Sequence, residues 1–154
     1  MKNTKILFVC LGNICRSPAA EGVMKKLAAG HPIEVRSAGT AGYHIGELPD
    51  SRMRSHAKKR GIDLVSRAQQ FDPVRHFEEF DRIIAMDASN FRDLKSMDRS
   101  GTYREKLSMM TDYCRTMNAD EVPDPYYGGP EGFEHVLNIL EDACAGLLNE
   151  LTSH

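Results

Sequence analysis

Apolar residues follow two rhythms along the chain. Short strand-like segments lie near residues 5–10, 33–37, 81–86 and 107–111, and Ile6-Leu7-Phe8-Val9 is wholly apolar, the pattern of a strand buried on both faces. Between them the apolar positions recur three or four apart, which predicts helices near 17–29, 50–60, 89–97 and 131–151, with Gly30 and Gly61 as stops. In the last of these, Phe133, Val136, Leu137, Leu140, Cys144, Leu147, Leu148 and Leu151 form one apolar stripe, with Cys144 read as core. Strand alternating with helix predicts an α/β three-layer sandwich around a central four-stranded parallel sheet. With no linker, internal repeat or low-complexity segment, residues 1–154 read as one domain.

Composition narrows the function. A net charge of −2 gives no electrostatic case for nucleic acid or a membrane surface. The lysines before Ile6 are followed by an apolar run too short for a signal peptide, with no small-residue cleavage site, and no stretch approaches a transmembrane length. Cysteines at 10, 15, 114 and 144 show neither C-x-x-C nor disulfide-framework spacing, so a reducing cytoplasm is expected. The six histidines lack metal-ligand spacing and read as surface residues; no metal or cofactor is expected. The basic run Arg52–Arg60 reads as a solvated helix face, with a docking surface for acidic phosphopeptides as the alternative.

The chemistry concentrates after the first strand. Cys10 ends the apolar run and Arg16 follows six positions later, just before Ser17-Pro18, a strong helix start with Ser17 as N-cap. Residues Leu11, Gly12, Asn13, Ile14 and Cys15 must wrap from strand end to helix start. Such a wrap turns successive N–H groups inward as an anion-binding nest, reinforced by the helix dipole. Gly12 and Asn13 are residue types that tolerate left-handed backbone there. A thiol titrating near about 8.5 in water falls to roughly 3.5–7.5 beside such donors. Arg16 offers a planar fork for two phosphate oxygens, and the Ser17 hydroxyl can donate to sulfur. The pattern points to phosphoryl transfer through Cys10. A buried strand-end cysteine beside a surface arginine is the plainer alternative, and the surrounding strand, Gly-Asn turn and helix start argue against it.

A leaving oxygen needs a proton. Asp124, stiffened between Pro123 and Pro125, is the candidate acid; alone, the same residues would read as an Asp-Pro turn. Tyr126 and Tyr127 follow it, either as an aromatic pocket wall or as loop tyrosines. Cys10, Ser37, Asp87 and Asp124 all follow carboxyl ends of predicted strands, where open α/β sheets bind ligands. Asp87 reads as a helix cap or a brace for the site.

These motifs resemble the low-molecular-weight protein tyrosine phosphatases over essentially the whole length: V-C-L-G-N-I-C-R-S-P-A-A-E at 9–21, S-A-G-T at 37–40, M-D-A-S-N-F-R-D-L at 86–94 and V-P-D-P-Y-Y at 122–127. The resemblance implies a flavodoxin-like strand order 2-1-3-4 with the phosphate-binding loop after strand 1. It implies Cys10 as nucleophile, Arg16 as phosphate clamp and Asp124 as general acid, with Asn13 and Ser17 ordering the loop and stabilising the thiolate. It places Tyr43 as an aromatic facing the site, with His44 beside it tuning substrate choice. Cys15 becomes a resolving partner for oxidised Cys10, where residue type alone suggests a small packing residue. A relative that acts on phosphoarginine carries threonine in place of Ile14, so Ile14 favours the tyrosine substrate. Ser66 stands where some members have a histidine supporting the loop asparagine. The implied partner is a phosphotyrosine-containing protein or a small aryl phosphate; a monomer is the default expectation. Arsenate reduction, which needs extra relay cysteines, and a non-catalytic phosphoanion-binding module are the rival readings.

Overall fold

The computed structural model describes residues 3–126 and 128–153. Four strands, β1 (Thr4–Cys10), β2 (Ile33–Gly39), β3 (Arg82–Ala85) and β4 (Leu107–Met109), form one parallel sheet in the order β2-β1-β3-β4. This is the expected flavodoxin-like order. Lys5 pairs with Glu34 and Cys10 with Gly39 on one side of β1, while Ile6 pairs with Arg82 on the other. β1 is therefore central, which accounts for its unbroken apolar run.

Side chains alternate across β1 and feed two cores. Ile6 and Phe8 pack with α1 (Arg16–Leu27), α2 (Ser51–Lys58) and α5 (Pro130–Thr152) on one face. Leu7 and Val9 pack with Phe77 of α3 (His76–Glu79) and Leu94 of α4 (Ala88–Met97) on the other. Each fully buried side chain of this size contributes roughly 1.5–3 kcal/mol. Cys144 lies fully buried on the α5 stripe, as its spacing predicts.

The structure departs from expectation where local signals were weak. The single turn α3 has too few residues to show a periodicity. The fourth strand stops at Met109, and Met110–Tyr113 coil into a 3₁₀ turn. His76 is buried, not on the surface: its Nδ1 accepts from the Asp72 N–H at 2.9 Å, and its ring packs on Phe71 and Phe80. The basic run is only partly solvated. Arg60 pairs with Glu134 and Glu141, and His56 stacks on Phe133, so that face of α2 is latched to α5. Among the described residues no helix is long and apolar enough to cross a membrane.

Candidate active site

Strand parity decides where the Cys10 thiol goes. It shares the α1 face with Ile6 and Phe8, so the sulfur lies beneath the start of α1, only 3% exposed. The chain then turns through residues 11–15. Asn13 adopts φ 58°, the left-handed backbone expected of it. Gly12 does not; it is small for another reason, since a Cβ there would meet the His44 ring at 3.0 Å. Among the described residues, the N–H groups of Gly12, Asn13, Ile14 and Cys15 find no protein acceptor. These donors and the uncapped start of α1 form a ready cradle for an anion.

α1 begins at Arg16, with Cys15 in the capping position and no side-chain cap. Ser17, expected as the cap, is the second helical residue, and its hydroxyl serves the site instead. Ser17 Oγ lies 2.9 Å from Cys10 Sγ and accepts from Asn13 Nδ2 at 2.8 Å. Asn13 Oδ1 in turn accepts from the Gln69 N–H at 2.9 Å. The contacts run Gln69, Asn13, Ser17, Cys10, half-buried at Gln69 and buried from Asn13 inward, and because Ser17 Oγ accepts from Asn13 its own proton is available to an ionised sulfur. The loop asparagine takes its support from the Gln69 backbone, not from Ser66.

Arg16 is buried and anchored from behind. Its Nη1 donates to Asp87 Oδ2 at 2.7 Å and to the Val122 carbonyl at 3.0 Å, and Nη2 lies 3.9 Å from Asp124 Oδ2. Burial works against the charge, but the Cys10 sulfur, Asp87 and Asp124 outweigh it and hold the guanidinium above its ordinary range. Asp87 fills both roles read from the sequence, because its other oxygen accepts from the Asn90 N–H at 2.7 Å and caps α4. Val122 N–H donates to the Met86 carbonyl, which fastens the acid loop to the end of β3. Asp124 projects from that loop, about half exposed, and its Oδ1 accepts from the Tyr126 N–H at 3.0 Å.

These groups surround a cavity of about 300 Å³. Cys10, Leu11, Gly12, Ile14, Cys15 and Arg16 line it from the loop, Tyr43 and His44 from one rim, and Asp124 and Tyr126 from the other. Asn13 and Ser17, expected among the substrate-binding residues, stand behind the loop and are buried. Tyr127 lies outside the described residues. Ser37 does not converge on the cavity; its Oγ donates to Glu21 Oε1 at 2.5 Å inside the α1–β2 contact. Burial first, then Asp50, Cys10 and Asp124, pushes the Cys15 thiol well up, against a smaller opposing effect of Arg16. Among the described residues no cluster of three or more His, Cys, Asp or Glu is arranged to hold a metal ion.

Sequence reasoning missed Gln69, which acts through its backbone, and buried Glu21, a polar residue on a helix with nothing to distinguish it from a solvated one. It also missed Asp50, whose N–H donates to the Ile14 carbonyl at 2.6 Å. A turn-forming Asp before a helix was the available signal for Asp50.

Topology and loop together define an α/β protein with a turn of unpaired amides at the carboxyl edge of a parallel sheet, the edge at which open α/β sheets bind ligands. Within that class the chain belongs to the low molecular weight phosphotyrosine protein phosphatases, a family of hydrolases whose model matches residues 5–154. A putative low molecular weight protein-tyrosine-phosphatase of Synechocystis is 52% identical over 96% of this chain and 96% of its own length. The human low molecular weight phosphotyrosine protein phosphatase is 39% identical over 94% of each chain. The crystal structure of a protein tyrosine phosphatase from Entamoeba histolytica, with Hepes in the active site, superposes with a TM-score of 0.91 at 46% identity, covering 97% of both chains.

Proposed function

We propose that the chain hydrolyses phosphotyrosine, on a protein or as a small aryl phosphate monoester, through a phosphocysteine on Cys10. The observation that carries this is the gathering of Cys10, Arg16 and Asp124 around one cavity floored by unpaired amides. The family name of the relatives supports phosphotyrosine as the substrate class. Leu11, Ile14, Tyr43 and Tyr126 supply apolar walls of the kind an aryl leaving group packs against.

In the first step the Cys10 thiolate attacks phosphorus in line. The S–P bond forms as the P–O bond to the phenol breaks, and Asp124 gives its proton to the departing oxygen. The amides and Arg16 take up charge on the three equatorial oxygens. In the second step Asp124, now ionised, takes a proton from the attacking water, the S–P bond breaks, and Ser17 donates to the departing sulfur. No metal is required, because the loop itself holds the phosphate charge.

Cys15 is proposed to protect this nucleophile. If peroxide oxidises Cys10 to a sulfenic acid, the Cys15 sulfur displaces water from it and closes a disulfide. Arsenate reduction by a cysteine relay gains no support here: Cys144 is buried on α5, and neither it nor Cys114 lines the cavity.

A panel of phosphotyrosine, phosphoserine and phosphoarginine peptides, run on the wild type and Cys10→Ser, tests the reading. Turnover of phosphotyrosine alone, lost in Cys10→Ser while inorganic phosphate still binds, is expected. Preferred turnover of phosphoserine or phosphoarginine, or hydrolysis surviving in Cys10→Ser, overturns it.

A further inference from the structure

Asp124 is fixed at one end by Val122, which is bonded to both Arg16 and Met86. The other end of its loop has a separate attachment. Tyr126, whose N–H binds the Asp124 carboxylate, lies with its ring 5.1 Å from the Arg52 guanidinium carbon. That guanidinium also sits 4.9 Å from the ring of Phe133, a buried residue of α5. Arg52 is in turn gripped by Asp50 through Nε at 3.3 Å and Nη2 at 3.0 Å. Asp50 has no freedom to follow a moving arginine. Its carboxylate caps α2 by accepting from the N–H groups of Arg52 and Met53, and its own N–H is bonded to the Ile14 carbonyl of the catalytic loop.

We infer that the Asp50–Arg52 pair is a positioning element for the general acid, tying the acid loop to the catalytic loop through the ring of Tyr126. The inference rests on the assignment of Asp124 as the acid. The continuous path is Ile14, Asp50, Arg52, Tyr126, Asp124, and it links the two halves of the machinery through a third segment that touches no reacting atom. A guanidinium on a ring face is directional enough to hold the ring without filling the cavity, and its charge is already neutralised by Asp50. Held at both ends and stiffened by Pro123 and Pro125, the carboxyl group stays within reach of the leaving oxygen instead of sweeping the solvent. The alternative use of an exposed arginine beside the cavity is to receive an acidic residue of a peptide substrate, and the following test separates the two.

The probe is a series of small aryl phosphates whose phenols range from activated to poor leaving groups, which offers no peptide to dock. The readout is kcat/KM for the wild type, Arg52→Met, Arg52→Lys, Asp124→Asn and the double variant Arg52→Met/Asp124→Asn, with thermal midpoints measured alongside. Arg52→Met is expected to lose roughly three- to tenfold on poor leaving groups and much less on activated ones. Arg52→Lys should recover part of that loss, and the double variant should be no steeper than Asp124→Asn. Uniform loss across the series overturns the inference. A flat series for Asp124→Asn itself would instead remove Asp124 as the acid. A steep one for Asp124→Asn with a flat one for both Arg52 variants removes only the brace.

Discussion

Arg16 donates to Asp87 at 2.7 Å, and this bond joins the first helix to the end of β3 beneath the cavity. The carboxylate divides its oxygens, one holding Arg16 and the other capping α4. The guanidinium is thereby oriented before any ligand arrives, and its second nitrogen faces Asp124.

Asp87→Asn keeps a side chain able to cap α4 but removes the countercharge of a guanidinium that is only 4% exposed. Stability should fall by about 1–3 kcal/mol, below the figure for a fully buried pair because Asp87 retains a solvent-exposed edge. We expect kcat/KM to drop roughly 10–100-fold, as a fork that can tilt stabilises the transition state less well. Denaturant melts and steady-state kinetics check the two effects separately.

Ser17→Ala deletes the donor to the sulfur and strands the Asn13 amide in a buried site. A hydrogen bond to a charged group contributes about 1.5–3 kcal/mol, so breakdown of the phosphocysteine should slow by roughly one to two powers of ten. The affinity for inorganic phosphate should change little, because the amides and Arg16 are untouched. Single-turnover kinetics separate the two steps. An unchanged breakdown rate would mean the hydroxyl has no part in expelling sulfur.

Gly39 lies under the catalytic loop, where a Cβ would stand 2.7 Å from the Leu11 carbonyl oxygen and 3.0 Å from the Gly12 carbonyl carbon. Both obstacles are backbone, so Gly39→Ala must displace the loop. We expect a stability loss of about 1–3 kcal/mol and, from a shift on the order of 1 Å, roughly 100-fold lower activity with weakened phosphate binding. Phosphate titration of the folded variant measures the second effect directly.

The four thiols should respond differently to alkylation. Burial pushes Cys15 and Cys144 well up, and burial together with Asp142 raises Cys114, so all three stay protonated at neutral pH and lose their protons only in alkaline solution. Iodoacetate at pH 7 should therefore modify Cys10 first, and inorganic phosphate should protect it. Peptide mapping by mass spectrometry reads the site; primary labelling of Cys15 would contradict the assignment.

How far the sequence reached depended on whether a residue acts through type and spacing or through position in space. Cys10, Arg16 and Ser17 were legible because a strand, a turn and a helix start follow one another within the chain. Ser17 carries two signals, helix cap and donor to the sulfur; the structure keeps the second, and the capping position falls to Cys15. Asp124 needed its partner loop, which lies more than a hundred residues away. Gln69 acts on Asn13 through a backbone N–H, which no residue type reveals. Arg52 was hidden in a basic run whose default reading is a solvated surface, and only the arrival of Phe133 and Tyr126 from elsewhere in the chain gives it a task.

The proposed mechanism requires a covalent bond between phosphorus and the sulfur of Cys10. Rapid acid quench of the Asp124→Asn variant during turnover of an activated aryl phosphate, followed by peptide mapping, looks for that bond, because the variant lacks the group proposed to activate water. A phosphoryl group is expected on the peptide containing Cys10, absent after Cys10→Ser. A burst of phenol with phosphate found on another residue, or steady hydrolysis with no adduct at any time point, would contradict it.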